Sequence, residues 1–128
     1  MFSHLTVGSN DIAKAKTFYD SLLKPLDLVR HADYPTGIGY GPAAGGRPQL
    51  WIVSPLDKKA ASVGNGITVG LEAANRAAVD AAHKAGLAAG AKDEGAPGLR
   101  THYHPNYYGA YLRDLDGNKI CIVCHKPA

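Results

Sequence analysis

Tyr111-Leu112-Arg113-Asp114-Leu115-Asp116-Gly117-Asn118-Lys119-Ile120 reads as the centre of a tight β-hairpin. Asp116-Gly117 supplies the positive-φ residue that a short turn requires. The flanking stretches, 107–113 and 119–125, are rich in aromatic and β-branched residues and read as its two strands. Upstream, Asn75 caps a predicted helix from 76 to about 89, with a predicted strand over 67–73 before it and an extended piece near 91–94 after it. This half of the chain therefore runs strand, helix, three strands. Gly95-Ala96-Pro97-Gly98 reads as a turn within it.

The same order occurs once before. Residues 2–7 read as a strand that Gly8 ends. Ser9-Asn10-Asp11 is a run of capping residues, and Ile12, Ala15, Phe18, Tyr19, Leu22 and Leu23 then fall on one helical face. Pro25 closes that helix, and extended pieces follow at 28–32, 37–41 and 49–53, separated by Gly and Pro clusters. A polar connector over 58–66 joins the halves. The expectation is one domain, 1–128, of α+β class, made of two βαβββ modules at about 1–57 and 66–128. The second helix offers mostly alanine to its partners, so it buries little area alone, which favours a shared sheet and a homodimer over two independent halves.

Composition narrows the function. With 45% hydrophobic and 20% charged residues the chain fits neither a disordered nor a fibrous class. Its 14 Lys+Arg and 11 Asp+Glu leave a net charge of only +3, spread without a basic stripe, so no nucleic-acid partner and no anionic membrane surface is expected. The first residues carry no basic, apolar leader, and no apolar run reaches the roughly 18 residues of a membrane span, so a cytoplasmic location is expected. Cys121 and Cys124 are too close along one strand to be bridged without distortion, and free thiols are expected. Cys121-Ile122-Val123-Cys124-His125 fits a haem-attachment pattern. Strand residues three apart face opposite sides, however, which argues against it.

Two segments resemble the glyoxalase/bleomycin-resistance/dioxygenase superfamily, also called the vicinal oxygen chelate proteins. His4-Leu5-Thr6-Val7 before a helix ending Phe18-Tyr19-Asp20-Ser21-Leu22-Leu23 is similar to the family's opening strand and helix. The hairpin Tyr111–Ile120 resembles its "YF.DPDGN.IE" element. The resemblance covers essentially the whole chain. It implies modules curled into an open, cleft-forming mixed β-barrel with the helices packed outside, and frequent dimers. It also implies a divalent metal (zinc, nickel, iron or manganese) on ligands at the first and last strands of each module. Those positions fall here on His4, Trp51, Thr68 and Cys121.

Only His4 matches in kind. Tryptophan cannot ligate, a neutral threonine ligates weakly, and Cys121 stands where the family has a glutamate. A metal-free pocket is therefore favoured. The rival is a rebuilt site of His4 and Cys121 completed by His102 or His104. Loss of the glutamate also removes the base that lactoylglutathione lyase chemistry requires.

Strand alternation gives the pocket lining. His4 and Thr6 share one face, and Tyr107 and Tyr111 share another with Gly109 between them. With Trp51, Thr68 and Cys121 they form an expected ligand-binding set rich in rings and hydroxyls. The segment 102–108 is dense in His and Tyr and reads as a loop over a site or a dimer contact. Three functions stay open. The first is a small aromatic or carbonyl-bearing ligand bound in the cleft, with a lyase- or dioxygenase-type enzyme built on it. The second is a non-catalytic, sequestering protein of resistance type. The third is a structural dimer. One placement underlies the first two: His4 and Cys121 must look into one hollow.

Overall fold

Capping and strand alternation work the same way in both halves. The computed structural model describes residues 1–128. Strand β1 (Leu5–Gly8) leads to helix α1 (Ile12–Leu23). The Asp11 side chain caps α1 by accepting from the Lys14 N–H at 3.0 Å. A 3-10 turn over Lys24–Leu26 follows, with Pro25 at its start, where the missing N–H costs no hydrogen bond. Then come β2 (Leu28–Tyr34), β3 (Gly37–Pro42) and β4 (Leu50–Val53). The second half repeats the series with β5 (Val69–Glu72), α2 (Arg76–Ala88), β6 (Lys92–Leu99), β7 (Tyr108–Arg113) and β8 (Lys119–Cys124). Asn75 caps α2, accepting from the Ala78 N–H at 2.8 Å.

The strands form two separate four-stranded mixed sheets, ordered β1-β4-β3-β2 and β5-β8-β7-β6. In each, the first strand of the module pairs in parallel with the last, and the other pairings are antiparallel. This is the expected α+β arrangement of βαβββ units, with both sheets open rather than closed on themselves. Each sheet packs one face on its helix. Ile38, Tyr40, Leu50 and Ile52 face α1, and Ala110, Leu112, Ile120 and Ile122 face α2. The opposite faces carry no helix.

The two helices meet. One continuous core of 18 buried residues spans both modules, from Phe18 and Leu22 of α1 through Val79 and Ala82 of α2. At the crossing, a Cβ on Gly86 would stand 3.1 Å from Leu22 Cδ1 and 2.7 Å from Leu112 Cδ2, so only glycine lets α2 lie this close. Each fully buried large side chain contributes about 1.5–3 kcal/mol. The modules do not share the sheet expected from the alanine-rich α2; they share a core between their helices instead.

The hairpin segment fastens the modules together. Asp114, buried at the end of β7, accepts from the Asp116 and Asn118 N–H groups at 2.9 and 2.8 Å and from the Tyr19 hydroxyl of α1. The Asn118 side chain donates to the Gly8 carbonyl at 3.0 Å, and the Asn10 N–H donates to Asp116 at 2.8 Å. Burial, followed by the charge of Asp114, raises the Tyr19 pKa well above its ordinary value.

Three local expectations are corrected. Residues 95–98 do not form a turn: they continue β6, whose register against β7 slips twice, between Asp93 and Gly95 and between Gly95 and Gly98. The Arg100 guanidinium fills the irregularity by donating to the carbonyls of Ala96, Gly98 and Gly109 at 2.8–2.9 Å. The opening strand begins at Leu5 rather than residue 2, because ladder pairing to β4 starts only there, so His4 precedes it. Thr68 likewise precedes β5. Both cysteines are free thiols, and no helix is long and apolar enough to cross a membrane.

Candidate functional site

The open face of the second sheet holds a hydroxyl network. Strand β8 turns Cys121 and Val123 to that face, while Ile120, Ile122 and Cys124 enter the core. Tyr111 of β7 stands in register with Cys121. The Tyr107 hydroxyl lies 2.8 Å from the Tyr111 hydroxyl and 3.3 Å from Cys121 Sγ. Gly109 makes this possible, because a Cβ there would come within 2.9 Å of the Tyr107 ring. Burial raises the pKa of both tyrosines, and the hydrogen bonds to Cys121 and Tyr111 raise Tyr107 further. They are neutral phenols at physiological pH, able to donate.

Charge and loop residues surround the network. The Arg100 guanidinium carbon and Lys119 Nζ lie 5.5 and 5.4 Å from the Tyr111 ring centroid, within cation–π range. The Asn106 N–H donates to His104 Nδ1 at 3.1 Å, so the His104 proton sits on Nε2 and donates to His125 Nδ1 at 2.8 Å. Tyr103 and Tyr107 rings meet at 4.8 Å. Tyr103, His104, Tyr107, Tyr111, Lys119, Cys121 and His125 help to line a cavity of about 490 Å³ over β5, β7 and β8.

The open face of the first sheet holds a larger cavity, about 830 Å³, around Trp51. Gly39 stands in register with Trp51, and a Cβ there would lie 3.0 Å from the indole, so this glycine likewise lets an aromatic ring lie across the sheet. Tyr34, Thr36 and Ser54 line the same cavity, as do Lys58 and Lys59 of the connector.

Of the residues expected to bind ligand, Thr68, Tyr107, Tyr111 and Cys121 share the cavity of the second sheet. Trp51 lines the cavity of the first. Thr6 pairs with Trp51 but is exposed and lines neither. His4 is exposed, bonded to Ser3 Oγ at 2.9 Å, and borders a third, smaller hollow with Leu28, Tyr40 and Leu71. A single hollow shared by His4 and Cys121 is thus not formed within one chain. The reason is topological: β1 pairs with β4 and β5 with β8, so the two ends of the chain lie in different sheets. Alternation from Cys121 places Val123 on the same face, as observed; sequence reading passed over Lys119, which the same alternation would have added. Lys58 and Lys59 gave no signal, since connector residues follow no period.

The donors do not suit a divalent metal. No three His, Cys, Asp or Glu side chains converge anywhere in the chain. The Cys121 thiol is in contact with Tyr107, and His104 and His125 are bonded to each other. His102 stacks on Tyr103 at 4.2 Å and stays outside the cavity. No Asp or Glu lines either cavity, and Glu72 is exposed at the far end of β5. The proposed ligand set of His4, Cys121 and His102 or His104 is not assembled in the chain.

Comparison with known proteins agrees with this architecture. A family model for the glyoxalase/bleomycin resistance protein/dioxygenase superfamily matches residues 1–122. The fold is similar to a glyoxalase/bleomycin resistance protein from Albidiferax ferrireducens T118, with 40% identity, 99% of each chain covered and a TM-score of 0.86. A glyoxalase/bleomycin resistance protein/dioxygenase family enzyme from Burkholderia phytofirmans PsJN shares 20% identity over 98% of each chain, at a TM-score of 0.73. A lactoylglutathione lyase from Agrobacterium tumefaciens shares 21% identity over 94% of this chain and 90% of its own, at 0.63. These two show the fold alone. No curated protein matches the chain. With the family model spanning all but its last six residues and the same two-module sheets observed, the chain belongs to the glyoxalase/bleomycin resistance protein/dioxygenase superfamily.

Proposed function

We propose that the protein binds a small planar molecule bearing a carbonyl or phenolic oxygen, and that it does so without metal chemistry. The hydroxyl network carries the reading. If the Cys121 thiol donates to Tyr107 and Tyr107 to Tyr111, the Tyr111 proton is left free to donate to an acceptor in the cavity. The surrounding rings supply apolar area for a flat ligand. Binding is favoured over turnover because no carboxylate lines the cavity to take a proton from carbon.

A second copy of the chain completes the cleft in this reading. β1 and β5 are unpaired sheet edges, Phe2 and Ile67 beside them are 74% and 63% exposed, and both aromatic sheet faces are open. Joining β1 of one copy to β5 of the other, edge to edge, sets the Trp51 face beside the partner's Tyr111 face. Such a pairing satisfies the free ladder groups of both edges.

The test is a titration with aromatic aldehydes, ketones and phenols, followed by emission of the single tryptophan and by calorimetry. Tyr111→Phe is expected to weaken a carbonyl ligand about fivefold, the loss of one hydrogen bond worth roughly 1 kcal/mol. Equal affinities for the wild type and Tyr111→Phe would remove the hydroxyl network from the account. Rapid isomerisation of a dicarbonyl–thiol adduct would overturn the preference for binding over turnover.

A further inference from the structure

The two cavities share an electrostatic sign, and it is the opposite of what a cationic compound requires. Neither is lined by an acidic side chain. Most acids are engaged elsewhere: Asp20, Asp33 and Glu94 hold Arg30, Lys16 and Arg113 in ion pairs, and Asp93 is hydrogen-bonded to His83. Asp114 and Asp116 accept the bonds that join the modules, and Asp80 accepts from Tyr108. By contrast Lys58, Lys59 and Lys119 enter the cavities and take part in no ion pair.

The turn that presents two of them is built for the purpose. Lys58 has φ 62°, the left-handed region that residues with a Cβ avoid. Its N–H donates to the Pro55 carbonyl at 3.0 Å, and the Lys59 N–H donates to the Asp57 carboxylate at 3.0 Å. Asp57 keeps its charge but makes no ion pair with either lysine and does not line the cavity. The turn thus puts two adjacent lysines in the lining of the Trp51 cavity, together with Thr36 and Ser54. A concave site lined by a large π-face and by cations that take part in no ion pair attracts a flat organic anion.

We propose that the cavity over β3 and β4 is the anion-selecting half of the site, taking an aromatic carboxylate with its ring on the Trp51 indole and its charge on Lys58 and Lys59. This rests on the reading that the open sheet faces bind a small molecule, and it fixes the charge of that molecule.

The full chain is titrated with benzoate, benzamide and benzylamine, three ligands alike in ring and unlike in charge, by calorimetry and Trp51 emission at low and high salt. Benzoate is expected to bind at least tenfold more tightly than benzamide, with benzylamine silent. Raising the salt or the double substitution Lys58→Gln, Lys59→Gln should bring benzoate down to the level of the amide. Both lysines are exposed, and melting temperature checks that the variant stays folded. Benzamide or benzylamine binding as tightly as benzoate overturns the charge preference while leaving the small-molecule reading intact. A loss of benzoate binding in Lys119→Gln but not in the double variant overturns the assignment to this cavity. Silence from all three ligands overturns the proposal and the reading beneath it.

Discussion

Tyr19 shows how much one hydroxyl can hold. It lies 1% exposed in α1 and reaches 95 residues along the chain to donate to Asp114. Tyr19→Phe keeps the ring in the core but leaves a buried carboxylate one donor short, so a loss of about 1–3 kcal/mol is expected in urea unfolding. The pH dependence has a definite sign. The folded state raises this phenol above its unfolded value of 10.0, so its contribution is complete below pH 10 and is lost as pH rises toward the folded value. Alkaline unfolding should therefore be less steep in Tyr19→Phe than in the wild type; identical alkaline limbs would show that Tyr19 does not dominate there. Asp20 works in the opposite direction. Partial burial pushes its carboxyl up, but the Arg30 and Tyr40 hydrogen bonds outweigh that and leave it below its ordinary 3.8. Its stabilisation is present above about that pH and fades as acid is added. In Asp20→Asn the acid limb should therefore be less steep than in the wild type.

At the scale of elements, each sheet places a glycine beside the aromatic side chain that lies across its open face. Gly39 clears Trp51 on the first sheet and Gly109 clears Tyr107 on the second. Gly109→Ala is expected to swing the Tyr107 ring off the sheet, breaking its contacts to Tyr111 and Cys121 while the core face of β7 stays packed. An unchanged phenol ultraviolet spectrum and unchanged carbonyl-ligand affinity in that variant would count against the geometry. Much of this was legible in the sequence. The helical spacing of Ile12 to Leu23, the caps Asp11 and Asn75 and the Asp-Gly turn each act over a few residues, so local pattern located them. The alternation that put Tyr107, Tyr111 and Cys121 together is equally local. The bulged β6 was not legible, because Gly-Ala-Pro-Gly has turn chemistry and what straightens it is Arg100, which reaches three carbonyls only once the sheet exists. Nor could the position of His4 be read: which sheet a strand joins depends on pairings between distant segments.

At the scale of the whole molecule, the helices meet in the shared core and leave the two aromatic faces on separate sheets. Four of the seven residues expected to bind ligand thus line the cavity of the second sheet, and Trp51 lines that of the first. The proposed cleft across two copies would bring Trp51 and Tyr111 together, in a way that mixing can detect. Each dimer then has two clefts, each with Trp51 from one chain and Tyr111 from the other. A Trp51→Ala chain and a Tyr111→Phe chain would each form only impaired clefts with themselves. In their mixed dimer, one cleft receives both altered residues and the other receives neither. Co-refolding the two variants in equal amounts should therefore give half the dimers as mixed species. One cleft in each of these should bind with wild-type affinity, so about a quarter of all clefts recover, by simple random pairing of chains in a twofold dimer. If Trp51 and Tyr111 instead served one site within a single chain, no recovery would follow, because every chain would still carry one altered residue. Light scattering that finds only monomer at micromolar concentration would rule out the shared cleft before any ligand is added.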